Sequence, residues 1–382
     1  MPIWLAGLVA SEAPLALAGT QLALGVRAAR RSRGLQRLIT VSLAAGSAAA
    51  SVQMYRRASG AQGVLHDAIE KALGVADDAT VGQRARPGST GSLLALRARY
   101  TTEVTRGLAY GDVNKFNSLD VWRRPDLPHD GAAPVLVQLH GGAWTSGDNR
   151  SQALPLLAEM AEQGWVCVVP RYRLSPTATF PDHIVDVMRA IAWTKQHVAE
   201  FGGDPTFVAL TGGSAGAHLS SLAALAHDHI GFKPGFENVD TSVQAVVPLY
   251  GAYDWTDRDH TGNPNTQRFL ERLVIKRSVT EAAELFDQGS PRSWVRPDAP
   301  PFFVIHGRND ALLPVEQARA FVADLRAASG SPVAYAELPD AQHAWDYART
   351  RRNRASVAAI SEFLHRVHAT RHNPALDKEL HT

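Results

Sequence analysis

The run F-V-A-L-T-G-G-S-A-G-A-H-L is apolar and β-rich, enters Gly212-Gly213-Ser214-Ala215-Gly216, and leaves as a helical pattern. A serine hydroxyl is a poor nucleophile unless it stands clear of the backbone with a base in reach. A sharp strand-to-helix turn with small neighbours provides that setting, which makes Ser214 the candidate nucleophile. Upstream, P-V-L-V-Q-L ends in His140-Gly141-Gly142-Ala143-Trp144. Acyl transfer develops negative charge on a carbonyl oxygen, and N–H groups of a glycine-rich loop can meet it without a side chain in the way. Gly141 and Gly142 are expected to supply two donors, and Ala215, next after the nucleophile, a third. An acid and then a histidine should follow in chain order. Asp310 lies just past the apolar run 302–305, in His306-Gly307-Arg308-Asn309-Asp310, and His343 lies just past V-A-Y-A-E-L-P. Both fall at strand C-terminal ends, where open α/β sheets gather their sites. Asp254, after the preceding apolar run, is the rival acid. His218, one helical turn beyond Ser214, would point away from the hydroxyl and reads as a residue packed beneath the site. His306 reads as a brace for its own loop.

The elements that must position these residues are legible from about residue 99. Short apolar runs at 101–108, 118–122, 135–139, 166–170, 207–211, 243–249, 302–305 and 333–337 read as strands. Amphipathic patterns at 184–200, 215–226, 315–328 and 356–367 read as helices. Buried strands alternating with helices predict an α/β fold, with a mostly parallel central sheet covered on both faces. The stretch 255–296 has no clear motif but carries Trp255, Phe269, Leu270, Leu273, Val274 and Ile275. It is expected to form a lid or a pocket wall. Trp144 and His140, beside the glycine loop, are expected at the substrate pocket. Few charges stand among these loops, and Trp144, Phe180, Trp255 and Trp345 lie near them, so the partner should be a small molecule with an uncharged, apolar group.

The chain has 382 residues, 45% hydrophobic and 20% charged, with 30 glycines and 22 prolines. This excludes disordered, collagenous and coiled-coil classes. The net charge is +2, and no long basic stretch lies outside the first 60 residues, so no nucleic-acid partner is expected. Cys167, the one cysteine, permits no intrachain disulfide and no thiolate metal site of its own. Residues 3–26 hold one charge, Glu12, and residues 38–54 hold none, with Arg27, Arg30, Arg31, Arg33 and Arg37 between. Residues 1–58 therefore read as a hydrophobic helical hairpin. It either anchors the chain to a membrane, with the arginine loop on the cytoplasmic side, or packs on the catalytic domain as a soluble element. Under the first reading, residues 1–58 should be dispensable for hydrolysis of soluble substrates. Residues 59–98 read as a connector, 99–370 as the catalytic domain and 371–382 as a tail.

H-G-G followed by G-x-S-A-G resembles the α/β-hydrolase superfamily and, within it, the hormone-sensitive-lipase-like carboxylesterases. The similarity covers about residues 99–368. Tyr172-Arg173-Leu174-Ser175-Pro176 with Phe180-Pro181, and Phe201-Gly202-Gly203-Asp204-Pro205, look like that family's linking motifs, although Ser175 stands where alanine is frequent. The resemblance implies an α/β-hydrolase fold and a Ser-His-Asp serine esterase acting on carboxylic esters, with no metal or organic cofactor, and the apolar residues near the loops fit a short to medium acyl chain best. H-G-G-x-W is also similar to isoprenylcysteine methylesterases and kynurenine formamidases, which leaves an amidase or formamidase, or a methylesterase, as the alternative. A non-catalytic binding protein on the same fold is a further alternative, against which the intact trio Ser214, Asp310 and His343 argues. The hydrophobic segment ahead of the domain resembles the membrane-associated lipase/esterase group of actinobacteria and implies membrane association.

Overall fold

The computed structural model describes residues 3–75, 102–113, 115–347 and 349–372. Side chains along the central strands alternate between two apolar layers, as the period of two in a β-strand requires. In β3 (Ala133–Leu139), Val135, Val137 and Leu139 enter one layer while Leu136 enters the other. The remaining strands are β1 (Glu103–Ala109), β2 (Ser118–Arg123), β4 (Val166–Pro170), β5 (Gly203–Gly213), β6 (Ala245–Leu249), β7 (Phe302–Gly307) and β8 (Val333–Leu338). They form an eight-stranded sheet in the order β1-β2-β4-β3-β5-β6-β7-β8. β1 and β2 are antiparallel to each other, β2 is antiparallel to β4, and all later pairs are parallel. Every residue of β4 and β6 is buried, because helices cover both faces.

One face carries α6 (Asp182–His197), α7 (Ala215–Leu225) and α10 (Val315–Ala328), which place Ile184, Val187, Leu219, Leu222, Phe321 and Leu325 in the first layer. The other carries α4 (Ala61–Leu73), α5 (Leu154–Glu162) and α11 (Arg351–His372). These bury Leu65, Ile69, Leu157, Met160, Phe363 and Leu364. The reading of 59–98 as a connector is therefore corrected over 61–73, where α4 packs on β8 and α11 as part of the core. Its apolar positions recur at helical spacing, and burial of Leu65 and Ile69 contributes roughly 1.5–3 kcal/mol each. Residues 76–98 lie outside the described residues. In the 255–296 stretch, α8 (Pro264–Phe269) runs into a π-helical turn at Leu270–Val274, and α9 (Ala283–Gln288) follows. Leu270, Val274, Ile275 and Phe286 bury themselves in the first layer. The stretch also grips the loop after β7, where Thr266 Oγ1 donates to the Leu312 carbonyl at 3.2 Å and Asn263 Nδ2 to that of Ala311 at 3.1 Å.

Ahead of the sheet, α1 (Ile3–Glu12) stops where Pro14 opens α2 (Pro14–Arg31), since proline suits a first turn and ends a preceding one. α2 and α3 (Gly34–Ser59) form an antiparallel pair. Ser51 Oγ bonds Gln21 Oε1 across it at 3.2 Å, and the helices approach so closely at Gly25 that a Cβ there would lie 2.2 Å from that of Ala44. Leu24, Leu35, Leu38, Ile39 and Leu43 are exposed on this pair. The helical run Gly34–Leu73 is long and apolar enough to cross a membrane by length and composition.

Candidate active site

β5 delivers Ser214 at its C-terminal end with φ 56° and ψ −116°, left-handed backbone that a serine rarely adopts. The bend works only with glycines on both sides. A Cβ on Gly212 would come within 2.6 Å of Gly216 carbon, and one on Gly216 within 2.1 Å of the Leu139 carbonyl oxygen. The strain is held by β6, whose Leu249 carbonyl accepts the Ser214 N–H at 2.9 Å.

The loops after β7 and β8 converge on that serine. His343 Nε2 lies 2.8 Å from Ser214 Oγ, and His343 Nδ1 lies 2.7 Å from Asp310 Oδ2. The other carboxylate oxygen, Oδ1, accepts the Leu312 and Leu313 N–H groups, each at 2.9 Å. Burial works against a charge on Asp310, but His343, His306 and the Leu313 N–H together hold its pKa below the usual carboxylate value. An anionic Asp310 can only accept, so it fixes the proton on His343 Nδ1 and leaves Nε2 to accept from the serine hydroxyl. His306 Nε2 donates to the Leu313 carbonyl at 2.8 Å and stands 3.5 Å from Asp310 Oδ2, bracing the acid's loop. Asp254 is elsewhere: it accepts from the Thr256 and Arg258 N–H groups and pairs with Arg258 at 3.1 Å and Arg292 at 3.3 Å.

The glycine loop after β3 faces the elbow. Gly142, at φ 128°, and Ala215 present N–H groups with no protein acceptor among the described residues. Gly141 is corrected: it donates its N–H to Gln152 Oε1 at 2.7 Å, so it shapes the loop and is not a free donor. The expected pocket places of His140 and Trp144 are corrected as well. His140 is buried, stacks on Tyr172 at 4.2 Å between ring centroids and bonds the Gly141 carbonyl at 2.9 Å. Trp144 is 3% exposed and donates from Nε1 to His218 Nδ1 at 3.2 Å. Phe180, Trp255 and Trp345 are buried too, Trp255 stacking on His218 at 4.4 Å. Aromatic rings hide their area in mutual contacts first, so these hold the loops in place and do not form an open wall.

His218 joins three parts of the site. It lies on α7, directly after Ser214, accepts from Trp144 of the glycine loop, and its Nε2 donates at 2.7 Å to the Gly289 carbonyl beyond α9. Burial lowers its pKa from 6.5 to about 3, so it stays neutral and can both donate and accept. Unfolded, the ring takes a proton as pH falls below 6.5; folded, it does so only near 3. Its contribution is complete above the unfolded value and is lost as pH falls through that window. His140 and His183, lowered to about 4 by burial, act with the same sign. The thermal midpoint should therefore drop on acidification across this range, and His218→Gln should flatten the drop; an unchanged slope by calorimetry would contradict the role.

Sequence reasoning missed Gln152 and the pair behind His343. Tyr250 lays its ring against His343, centroids 4.8 Å apart, and its hydroxyl donates to half-buried Asp346. No local pattern marks either. Cys167 is buried in β4, and burial pushes its thiol pKa up. Among the described residues no group of three or more His, Cys, Asp or Glu side chains could hold a metal ion.

A mostly parallel sheet that delivers a strained serine at the end of β5, with helices on both faces, defines an α/β-hydrolase-type protein. The chain belongs to the BD-FAE family, which matches residues 119–325. It is 46% identical over 97% of its length, and 87% of the relative's, to the probable carboxylic ester hydrolase LipM of Mycobacterium tuberculosis. It is 49% identical to esterase LipQ of the same organism over 70% of this chain and 63% of that one. A more distant relative, isoprenylcysteine alpha-carbonyl methylesterase ICME of Arabidopsis thaliana, is 30% identical over 60% of this chain and 54% of its own. In fold, the chain is similar to the butyrate-bound esterase 2 of Thermogutta terrifontis, with TM-score 0.56, 24% identity, and coverage of 69% of this chain and 91% of that one. A truncated carbohydrate esterase from gut microbiota is similar with TM-score 0.57, 20% identity, and coverage of 68% and 96%.

Proposed function

We propose that this protein is a serine carboxylic ester hydrolase that works through an acyl-enzyme on Ser214. The observation that carries the reading is the continuous chain Ser214 Oγ, His343, Asp310, with hydrogen bonds of 2.8 and 2.7 Å. His343 Nε2 takes the hydroxyl proton as Oγ attacks the ester carbonyl, then returns it to the leaving alkoxide. Water repeats the cycle on the acyl-enzyme. The N–H groups of Gly142 and Ala215 stabilise the oxyanion, a contribution of about 2.7–4 kcal/mol for one such donor in comparable sites. Asp310 holds the tautomer and stabilises the imidazolium.

Half-buried Ala143 and Leu312, beside the glycine loop and the acid, offer apolar surface to a short or medium acyl chain. The exposed leucines of α2 and α3 and the 26-residue length of α3 support association with a membrane. One experiment tests both. Cells expressing the full chain are fractionated and each fraction is assayed with acyl esters of graded length, with matched anilides and formamides as controls. Activity is expected in the membrane fraction. Each buried methylene contributes about 0.8 kcal/mol, about fourfold in kcat/KM, so activity should rise over the first few carbons and fall where the pocket ends. Faster turnover of the formamide or anilide than of the ester would replace the esterase reading, and activity confined to the soluble fraction would remove the membrane.

A further inference from the structure

Residues 1–58 read from sequence either as a membrane anchor or as helices packed on the catalytic domain, and α1 ends against the loop that carries His343. The Glu12 and Arg352 side chains are 4% and 0% exposed and pair with each other, Arg352 Nη1 donating to Glu12 Oε1. Glu12 Oε2 accepts from Thr350 Oγ1 at 2.8 Å. From Arg352 the second guanidinium nitrogen, Nη2, donates to the Pro339 carbonyl at 3.0 Å, where the histidine loop leaves β8. From Thr350, Oγ1 accepts the Asn353 N–H at 3.2 Å, and Asn353 Nδ2 donates to the Asp346 carbonyl. The Asp346 carboxylate in turn holds the tyrosine packed on His343. Glu12 thus sits at the fork of two bonded paths that reach the base's loop at both ends.

Other contacts point the same way. Gly7 of α1 packs on the Gln342 side chain, where a Cβ would come within 2.9 Å of Nε2, and Gln342 Oε1 accepts the Ala311 N–H next to Asp310 at 3.3 Å. Arg57, near the end of α3, lies 3.4 Å from Asp340 of the same loop. The loop itself is tense: Asp340 and Ala344 have φ of 55° and 62°, left-handed values that flank the base and need outside support.

We propose that Glu12 is a positioning residue for His343, so that the N-terminal helices complete the catalytic unit besides any anchoring they provide. Under this proposal residues 1–58, which the anchoring reading alone would make dispensable for soluble substrates, are needed for full activity on them. The inference rests on the proposed role of His343 as the base.

The test uses the full chain, a soluble short-chain ester, and burst titration to count functional sites. Glu12→Gln should lower kcat on the order of 10- to 100-fold with KM little changed, because a base displaced by a fraction of an ångström loses rate without losing binding. Phosphonylation of Ser214 should slow by the same factor. Glu12→Gln also leaves Arg352 buried and unpaired, which costs stability on its own account. The double variant Glu12→Gln with Arg352→Met removes that charge, so it should regain the thermal midpoint while kcat stays low. Thr350→Val removes only the second path without any charge and should lower kcat less, again at unchanged KM, which serves if the first variant fails to fold. A kcat within about twofold of wild type per titrated site in Glu12→Gln, or recovery of kcat together with the thermal midpoint in the double variant, would overturn the proposal. His343→Asn is the control for the underlying reading: if it keeps wild-type activity, the role of His343 fails and not merely that of Glu12.

Discussion

Ser214→Ala is expected to lower kcat on a soluble ester by roughly 10⁵- to 10⁶-fold, and His343→Ala by a similar amount, with the pair together no worse than either alone. The non-additivity follows from the geometry. The 2.8 Å bond between Oγ and Nε2 is a single proton-transfer unit, so removing either end removes the whole nucleophile. Residual rate should remain above that of water, because the Gly142 and Ala215 N–H groups still meet the developing charge. KM should change little, since the methyl of alanine leaves the site open. Steady-state kinetics of the two single variants and the double variant check this; losses that multiply would mean that serine and histidine act in separate steps.

Asp310→Asn should cost roughly 10⁴-fold in kcat, whereas Asp254→Asn should leave kcat within about tenfold of wild type. Asparagine fits the space but can offer its amide N–H to His343, which flips the tautomer and places a proton on Nε2 where the serine hydroxyl needs an acceptor. Asp254, by contrast, is bound by Arg258, Arg292 and the backbone of its own turn, and no bond links it to His343. Its loss should appear in stability. Two arginines would be left with less compensation, so Asp254→Asn is expected to lower the thermal midpoint more than the rate. A larger kcat loss at Asp254 would exchange the roles of the two acids.

The eight strands were legible because each is a short apolar or alternating run bounded by turn residues, and the convergence of Ser214, Asp310 and His343 because each follows such a run at the end where a parallel sheet gathers its loops. α7 and α10 were legible from their period. α5 was not: Pro155 suits its first turn, but its N-cap, Ala153, takes a left-handed φ of 54° and provides no side-chain cap, so the start is only half marked in the sequence. α4 showed its amphipathic stretch, but the glycines on either side made it look like a link. Burial against β8 and α11 decided otherwise, which is tertiary packing overriding a local cue. What could not be read were pairings between distant residues. Gln152 on the Gly141 N–H, Tyr250 with Asp346, and Glu12 with Arg352 leave no spacing pattern, because the partners meet only after the sheet has formed. The same holds for the aromatic residues near the loops. Their positions suggested a pocket lining, yet the structure folds Trp144, His218 and Trp255 onto one another.

The most direct measurement is peptide mapping after reaction with a fluorophosphonate, which mimics the tetrahedral intermediate of acyl transfer. The wild-type chain should carry a single phosphonyl adduct on the peptide containing Ser214, formed at a rate that tracks esterase activity across pH. Ser214→Ala should carry none, and Asp310→Asn should react slowly at the same serine. An adduct on another residue in the wild type, or undiminished labelling of Ser214→Ala, would contradict the assignment of Ser214 as the nucleophile.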